Sequence, residues 1–172
     1  RRRQTFVIAL YPDLVSARLK DSGLSWQRIV LVLGLLLILV RKLIAWLSDD
    51  ALTFEFLFVK EQSPSQLDDE RRLLQMLFRE EIAGGTVILD TAQDSDGVTR
   101  RCDEHARRSL CRLLAVSQRS RSHDCQFAAT ASLRVASALP RFAFGDDELQ
   151  TPEEDELDGW RETLESLLRA WV

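Results

Sequence analysis

The feature that most constrains the fold of this chain is one uninterrupted apolar run, IVLVLGLLLILV, at residues 29–40. Twelve helical residues extend about 18 Å, less than the ~30 Å hydrocarbon core of a bilayer. The run therefore fits a buried core helix as readily as a membrane span. Its flanks favour the membrane, because long cationic side chains reach the headgroups and tryptophan suits the interface. The flanking residues are Trp26, Arg28, Arg41, Lys42 and Trp46.

We therefore expect a membrane-embedded helix over residues 24–47, with a soluble core helix as the alternative. Arg41 and Lys42 separate the run from a second apolar piece, residues 43–47. Two cations inside a bilayer are costly unless a partner neutralises them. The sequence thus predicts either a shorter span or a neighbouring protein subunit that faces Arg41 and Lys42.

Strand and helix patterns alternate along the first half of the chain. Apolar, β-rich runs at residues 5–10, 52–59 and 86–90 predict three strands. Helical patterns lie between them: a short helix at 14–20, the apolar helix, and a helix capped by Ser65 that continues to Ile82. This order is typical of an α/β fold, with a small and mostly parallel sheet joined by crossover helices.

The second half predicts two further helices. Residues 102–117 match one helical face, residues 117–124 form a surface loop, and residues 127–139 fit a helix or a strand equally well. The last helix is amphipathic, with Thr151 as N-cap, Pro152 at its first position and Glu154 completing a capping box. Its apolar stripe consists of Leu157, Trp160, Leu164, Leu167, Leu168 and Trp171. We divide the chain into an N-terminal strand and short helix (1–23), the apolar helix (24–47) and an α/β body that ends in this docking helix (48–172).

Charge occurs in blocks, although the net charge is only −4. Four successive segments carry net charges of +6, −8, +6 and −8, and they cover residues 1–48, 49–98, 99–141 and 142–172. Such alternation favours contacts with other protein subunits. The basic third block lacks interleaved aromatic residues, so nucleic acid is not an expected partner. The Arg-rich start favours an organelle membrane, mitochondrial rather than Golgi.

Three cysteines and two acidic clusters are the candidates for chemistry. Cys102, Cys111 and Cys125 have no CxxC spacing, and we expect buried free thiols. His123, Asp124 and Cys125 could supply metal ligands, but their spacing matches no closed zinc pattern. Carboxylates that follow strands can hold a divalent ion and a diphosphate. The two acidic clusters are Asp90, Asp94 and Asp96, and Asp146, Asp147 and Glu148.

Several short segments resemble glycosyltransferase family 31, the β-1,3-galactosyltransferase-like enzymes. The resemblance lies in the first strand with Tyr11-Pro12, Arg18 and Trp26, in the strands at 54–59 and 86–90, in the polar segment 94–101, and in Cys125 with 142–148. It implies that Asp146 and Asp147, with Glu148 beside them, bind manganese and a nucleotide sugar.

Two functions follow from these observations. We favour a non-catalytic accessory subunit of a larger membrane protein complex, without a cofactor and in contact with the lipid bilayer and other subunits. Its predicted contact residues are Trp26, Arg28, Arg41, Lys42, Trp46, Trp160 and Trp171. The alternative is a divergent, metal-dependent glycosyltransferase. No residue of the chain matches a catalytic base for that reaction, and this favours the subunit.

Overall fold

The computed structural model describes residues 3–48 and 50–172 as one α/β layered fold. Its strands are β1 (Arg3–Leu10), β2 (Ala51–Val59), β3 (Val87–Ala92), β4 (Leu110–Ser117), β5 (Ala129–Arg134) and β6 (Arg141–Phe144). Its helices are α1 (Arg28–Trp46), α2 (Asp68–Leu77), α3 (Arg79–Ala83), α4 (Ser95–Ala106) and α5 (Glu156–Trp171), with a 3-10 helix at Pro12–Arg18. The predicted α/β class, with crossover helices and a C-terminal helix, is confirmed.

The six strands form one sheet in the order β3-β2-β1-β4-β5-β6. The first five are parallel, and β6 pairs with β5 in the antiparallel direction. β1 lies in the middle of the sheet and is buried from Gln4 to Leu10. Helices cover both of its faces, which is why the strand is a continuous apolar run rather than an alternating one.

The two faces of the sheet carry different helices. α1 and α5 pack on one face, where the core includes Phe6, Phe54 and Phe56. α4 packs on the other face through Val98 and Cys102, against Val7, Leu57 and neighbouring strand residues. The chain therefore builds three layers, with β1 and β2 buried between two apolar cores.

α1, the apolar helix, is the crossover between β1 and β2. Nine of its residues are buried, among them Val32, Leu36 and Leu39, and these pack in the same core as the sheet. Within residues 3–48 and 50–172, it is the one helix long and apolar enough to cross a membrane, by length and composition. Its packing on the sheet agrees with the alternative of a core helix. Insertion of α1 into a bilayer stays a prediction.

α5 docks along its apolar stripe, as expected, and its partner is this chain. Trp171 is 3% exposed, and its ring lies 5.2 Å from that of Phe6. Trp160 is 5% exposed and donates its indole N–H to the carbonyl of Ala138 at 3.0 Å. These two tryptophans, predicted to contact a membrane or partner, are therefore covered by the fold itself.

Two helix starts differ from the sequence prediction, and one segment of open type is decided. α5 begins at Glu156 rather than after a Thr151 cap, because Glu156 has a φ of 47° and interrupts any helix that started earlier. α2 begins at Asp68, and the expected Ser65 cap is absent there. The segment 127–139, which fitted either type, contains β5.

The largest error concerns residues 102–117, predicted as one helix. The helix α4 starts earlier, at Ser95, and Asp94 caps it by accepting a hydrogen bond from the Gly97 N–H at 2.8 Å. It ends at Ala106, and β4 follows from Leu110. β4 is buried on both faces, so its apolar residues occur at helical as well as alternating positions.

Both outer strands of the sheet have partners at their free edges. Beside β3, Arg71 donates to the Thr91 hydroxyl at 2.9 Å and to the Leu89 carbonyl at 3.4 Å. Beside β6, Gln150 forms an antiparallel bridge with Phe142, with N–H to carbonyl distances of 2.9 and 2.7 Å. Part of each edge is thus occupied by the chain.

Candidate functional site

The order of strands reverses between β1 and β4, and the crevice at the carboxyl ends of these strands is where open α/β sheets bind ligands. β1 ends at Leu10 and continues into Tyr11 and Asp13. β4 ends at Ser117 and continues into a loop, residues 118–128. The residues that follow β1, β2, β3 and β4 meet here in one polar cluster, which we call the switch-point cluster: Tyr11, Asp13, Glu61, Ser95, Ser117, Arg121 and His123.

Arg121 is the centre of the switch-point cluster. Its guanidinium donates to both carboxylate oxygens of Glu61, at 2.5 and 3.0 Å, and to Asp13 Oδ2 at 3.3 Å. It also lies over the ring of Tyr11, 4.1 Å from the centroid, in cation–π geometry. Its side chain is only 16% exposed. One cation therefore links two carboxylates that follow different strands.

Asp13 is held on one side of its carboxylate. Ser117 donates its hydroxyl to Asp13 Oδ2 at 2.7 Å, and the backbone N–H of Arg119 donates to the same atom at 3.3 Å. The other oxygen, Oδ1, is buried without a hydrogen-bond partner among the described residues. An unpaired buried oxygen is costly, so Asp13 is held at the expense of stability.

Tyr11 and His123 are paired in their neutral forms. The Tyr11 hydroxyl lies 2.9 Å from Ser95 Oγ and 2.5 Å from His123 Nε2. Burial raises the pKa of Tyr11 to about 12. Burial and the nearby Arg121 charge hold the pKa of His123 below its usual range. At neutral pH the Tyr11 phenol therefore keeps its proton. The hydrogen bond between Tyr11 and His123 fixes the position of the 118–128 loop.

A polar pocket of about 230 Å³ opens beside the cluster, between the 118–128 loop, β5 and the turn after β6. Arg119, Arg134 and Ser132 line it, and the exposed Asp146 and Asp147 form part of its wall. Glu148 is exposed and not among the lining residues. In the described part of the chain, no three His, Cys, Asp or Glu residues are arranged to hold a metal ion. Asp146, Asp147 and Glu148 thus belong to no such group of three.

An apolar groove of about 420 Å³ lies between α1 and α5, the helices that cover one face of the sheet. We call it the α1–α5 groove; Trp26, Val30, Ile38 and Leu157 line its exposed parts. These four side chains are 45–56% exposed. Beyond it, Trp46 and Val172 line a second apolar depression with Leu168. The groove thus places exposed apolar side chains of α1 and α5 next to one another.

A family model matches residues 1–171 of the chain, and its description is "vWA domain found in the FtsH ternary systems". The chain belongs to this family. No curated protein and no solved structure matches it. The interpretation as a glycosyltransferase of family 31 is therefore wrong, because the matched family covers the same segments. Membership agrees with an accessory role, with protein partners and with a membrane association, whereas it gives the mitochondrial localisation no support.

The remaining predicted contact residues of this vWA domain lie on α1 or, for Trp26, just before it. Arg28 is buried and donates to the carbonyls of Val135 and Ser16, at 3.0 and 3.4 Å, so it stabilises the fold. Arg41 is exposed and lies 3.4 Å from the Leu77 carbonyl. Lys42 lies over the ring of Trp46, 5.9 Å from the centroid. Trp26 and Trp46 remain exposed and available to a partner.

The sequence prediction missed the switch-point cluster and also a buried carboxylate, Glu55 in β2. Glu55 is fully buried and accepts from Arg101 at 2.6 and 2.8 Å and from His105 Nε2 at 2.5 Å. Burial alone would raise its pKa, but the hydrogen bonds and charges of His105 and Arg101 outweigh it and hold the pKa below its usual range. A single glutamate between Phe54 and Phe56 in an apolar strand was the sequence signal for a buried carboxylate with ion-pair partners.

Proposed function

We propose that this vWA domain is a non-catalytic accessory subunit that docks onto FtsH, within a membrane protease complex, through the α1–α5 groove. The observation that carries the proposal is the exposed apolar surface of α1. The inner side of α1 is used by the core, so the exposed side is free to bind another protein.

The exposed side of α1 is suited to bind a protein helix. Val30 and Ile38 are eight residues apart, about two helical turns, and the groove between them and α5 accommodates one row of apolar side chains. Trp26 is 56% exposed at the start of the groove. Tryptophan is enriched among the few interface residues whose truncation costs about 2 kcal/mol or more.

Charge complementarity further limits which partner segments would fit the groove. The rim formed by α5 carries two ion pairs, Arg161 with Asp158 at 3.2 Å and Arg169 with Glu165 at 3.4 Å, but the segment 142–172 as a whole has a net charge of −8. An apolar helix with lysine or arginine at its ends would therefore fit the groove and its rim. Such a segment is expected close to a membrane, where cations flank apolar helices. In this proposal, the subunit reaches the membrane through its partner, and α1 stays in the fold.

The test compares two variants that each place a carboxylate on an exposed apolar helical position. Ile38→Glu alters the groove, where Ile38 is 45% exposed, and Met76→Glu alters α2, where Met76 is 74% exposed. A carboxylate within an apolar contact costs well over 1.4 kcal/mol. We therefore expect Ile38→Glu to weaken binding to detergent-solubilised FtsH by at least about tenfold, and Met76→Glu to leave it unchanged.

Two outcomes would overturn the proposal. One is equal affinity of wild type and Ile38→Glu for FtsH by surface plasmon resonance. The other is wild-type protein that binds anionic vesicles without FtsH, and loses this binding in Ile38→Glu, while neither protein binds FtsH. That second result would show that the groove faces lipid instead of a protein helix.

A further inference from the structure

The three cysteines, far apart in sequence, meet on the face of the sheet that carries α4. Cys102 comes from α4, Cys111 from the start of β4 and Cys125 from the 118–128 loop. Cys102 and Cys111 are buried in the core of this face, and Cys125, which is partly exposed, packs against the same core. All three are free thiols. The fold thus gathers every sulfhydryl of the chain into one cluster.

Cys102 is the shared neighbour in this cluster, since its thiol is hydrogen-bonded with those of both Cys111 and Cys125. A second contact holds the loop in place: the backbone N–H of Gln126 donates to Asp103 Oδ1 at 3.0 Å. The residues next to Cys125 and Cys102 are therefore joined to each other. This contact holds the loop against α4 at the position of the two cysteines.

The two thiols differ in their readiness to ionise. The hydrogen bond from Cys102 holds the pKa of Cys125 below its usual range, and a hydrogen bond with Thr99 acts in the same direction. Hydrogen bonding to Cys111 and Cys125, together with burial, raises the pKa of Cys102. Cys125 is therefore the better nucleophile, and it is also the thiol that solvent can reach.

We propose that Cys125 is an oxidation site for hydroperoxides and that Cys102 resolves it to an intramolecular disulfide. The Cys125 thiolate attacks one oxygen of the hydroperoxide, the O–O bond breaks, and the alkoxide leaves and takes a proton to become an alcohol. Cys125 is then a sulfenic acid. Cys102 loses its proton and attacks this sulfur; hydroxide leaves and becomes water. Two thiols lose two electrons, and the peroxide gains them.

The disulfide would attach the 118–128 loop covalently to α4. The same loop carries Arg121 and His123, which bind the residues at the ends of β1 and β2. Oxidation would therefore restrict the loop that forms one wall of the polar pocket. This inference does not depend on docking at the α1–α5 groove, so either one can fail without the other.

The experiment treats the full chain with hydrogen peroxide at pH 7 and maps its cysteines by mass spectrometry without reduction. We expect a Cys102–Cys125 disulfide in the wild type and in Cys111→Ser, the matched control. In Cys102→Ser we expect a persistent sulfenic acid on Cys125 that dimedone traps. Cys125→Ser should form no disulfide between the remaining cysteines at the same peroxide dose.

The rate supplies an independent measurement. We expect Cys125 in the folded wild type to react roughly tenfold faster than Cys125 in the urea-unfolded chain, since a lowered pKa increases the thiolate fraction. A disulfide that involves Cys111, oxidation of Cys102 before Cys125, or equal rates in the folded and unfolded chains would each overturn the proposal. Circular dichroism verifies that each variant is folded before treatment.

Discussion

Tryptophan-to-alanine substitutions test whether α5 is an integral part of the fold. Trp171 is 3% exposed and packs against Phe6, whereas Trp46 is 53% exposed at the end of α1. Removing a buried aromatic side chain costs about 3–5 kcal/mol, through lost transfer free energy and the cavity that remains. An exposed substitution usually changes stability by less than about 0.5 kcal/mol. We therefore expect Trp171→Ala to be strongly destabilising and Trp46→Ala to be nearly neutral.

Urea unfolding, followed by far-UV circular dichroism, measures the difference. With a slope of about 2 kcal/mol/M, Trp171→Ala lowers the midpoint by about 1.5–2.5 M, and Trp46→Ala by less than about 0.3 M. Trp171→Phe, which fills part of the site, should fall between wild type and Trp171→Ala. Equal midpoints for Trp171→Ala and Trp46→Ala would refute the docking of α5 on the sheet.

Four further substitutions test other parts of the structure. Because the pKa of Glu55 is held low, the ionised carboxylate stabilises the fold above about pH 4.5, and this stabilisation is lost as the pH falls. The difference in free energy of unfolding between wild type and Glu55→Gln should therefore shrink in acid, as urea titrations at several pH values would measure. Arg121→Gln should cost about 1.5–3 kcal/mol in urea unfolding, since two carboxylates lose a charged donor. Gly34→Ala should raise the free energy of unfolding by up to about 1 kcal/mol, because the new methyl group meets open space. Gly159→Ala should lower it, because the methyl group would lie 2.6 Å from the Glu154 carbonyl oxygen. Thermal melts would show whether the two substitutions change stability in opposite directions.

The first half of the fold was predictable because each local pattern agrees with the final structure. The strands predicted at 5–10, 52–59 and 86–90 overlap β1, β2 and β3, and helices lie between them. The apolar run 29–40 was identified as a helix, and a place in the core was only the alternative to a membrane span. Hydropathy alone does not distinguish lipid from a sheet as the partner of an apolar helix.

The second half was harder because burial on both faces removes the alternation that identifies a strand. β4 was included in a predicted helix for this reason. Asp94 was the available signal for the true helix start, since an aspartate before Ser95 and Gly97 is a preferred N-cap. At the other end, the Thr151–Glu154 pattern indicated a cap, whereas Glu162 accepts from the backbone N–H groups of Glu153 and Glu154 and holds that segment outside the helix.

The candidate sites depend on contacts between distant parts of the chain. Arg121 lay in a loop predicted to be solvent-exposed, and its partners Asp13 and Glu61 precede it by 108 and 60 residues. No local pattern connects these three residues. A search for polar residues that follow successive predicted strands would have brought Asp13 and Glu61 together, but only the folded loop adds the arginine.

The occupied edges of the sheet bear on how this domain can assemble. An edge strand with free N–H and carbonyl groups invites another chain to add a strand, which leads to β-augmentation or to aggregation. Here Arg71 takes the outward carbonyl of Leu89 on β3, and Gln150 takes both backbone groups of Phe142 on β6. Backbone pairing with a neighbour is thereby restricted at both ends of the sheet. Partner binding is therefore determined by side chains on the helices rather than by backbone hydrogen bonds at the sheet edges.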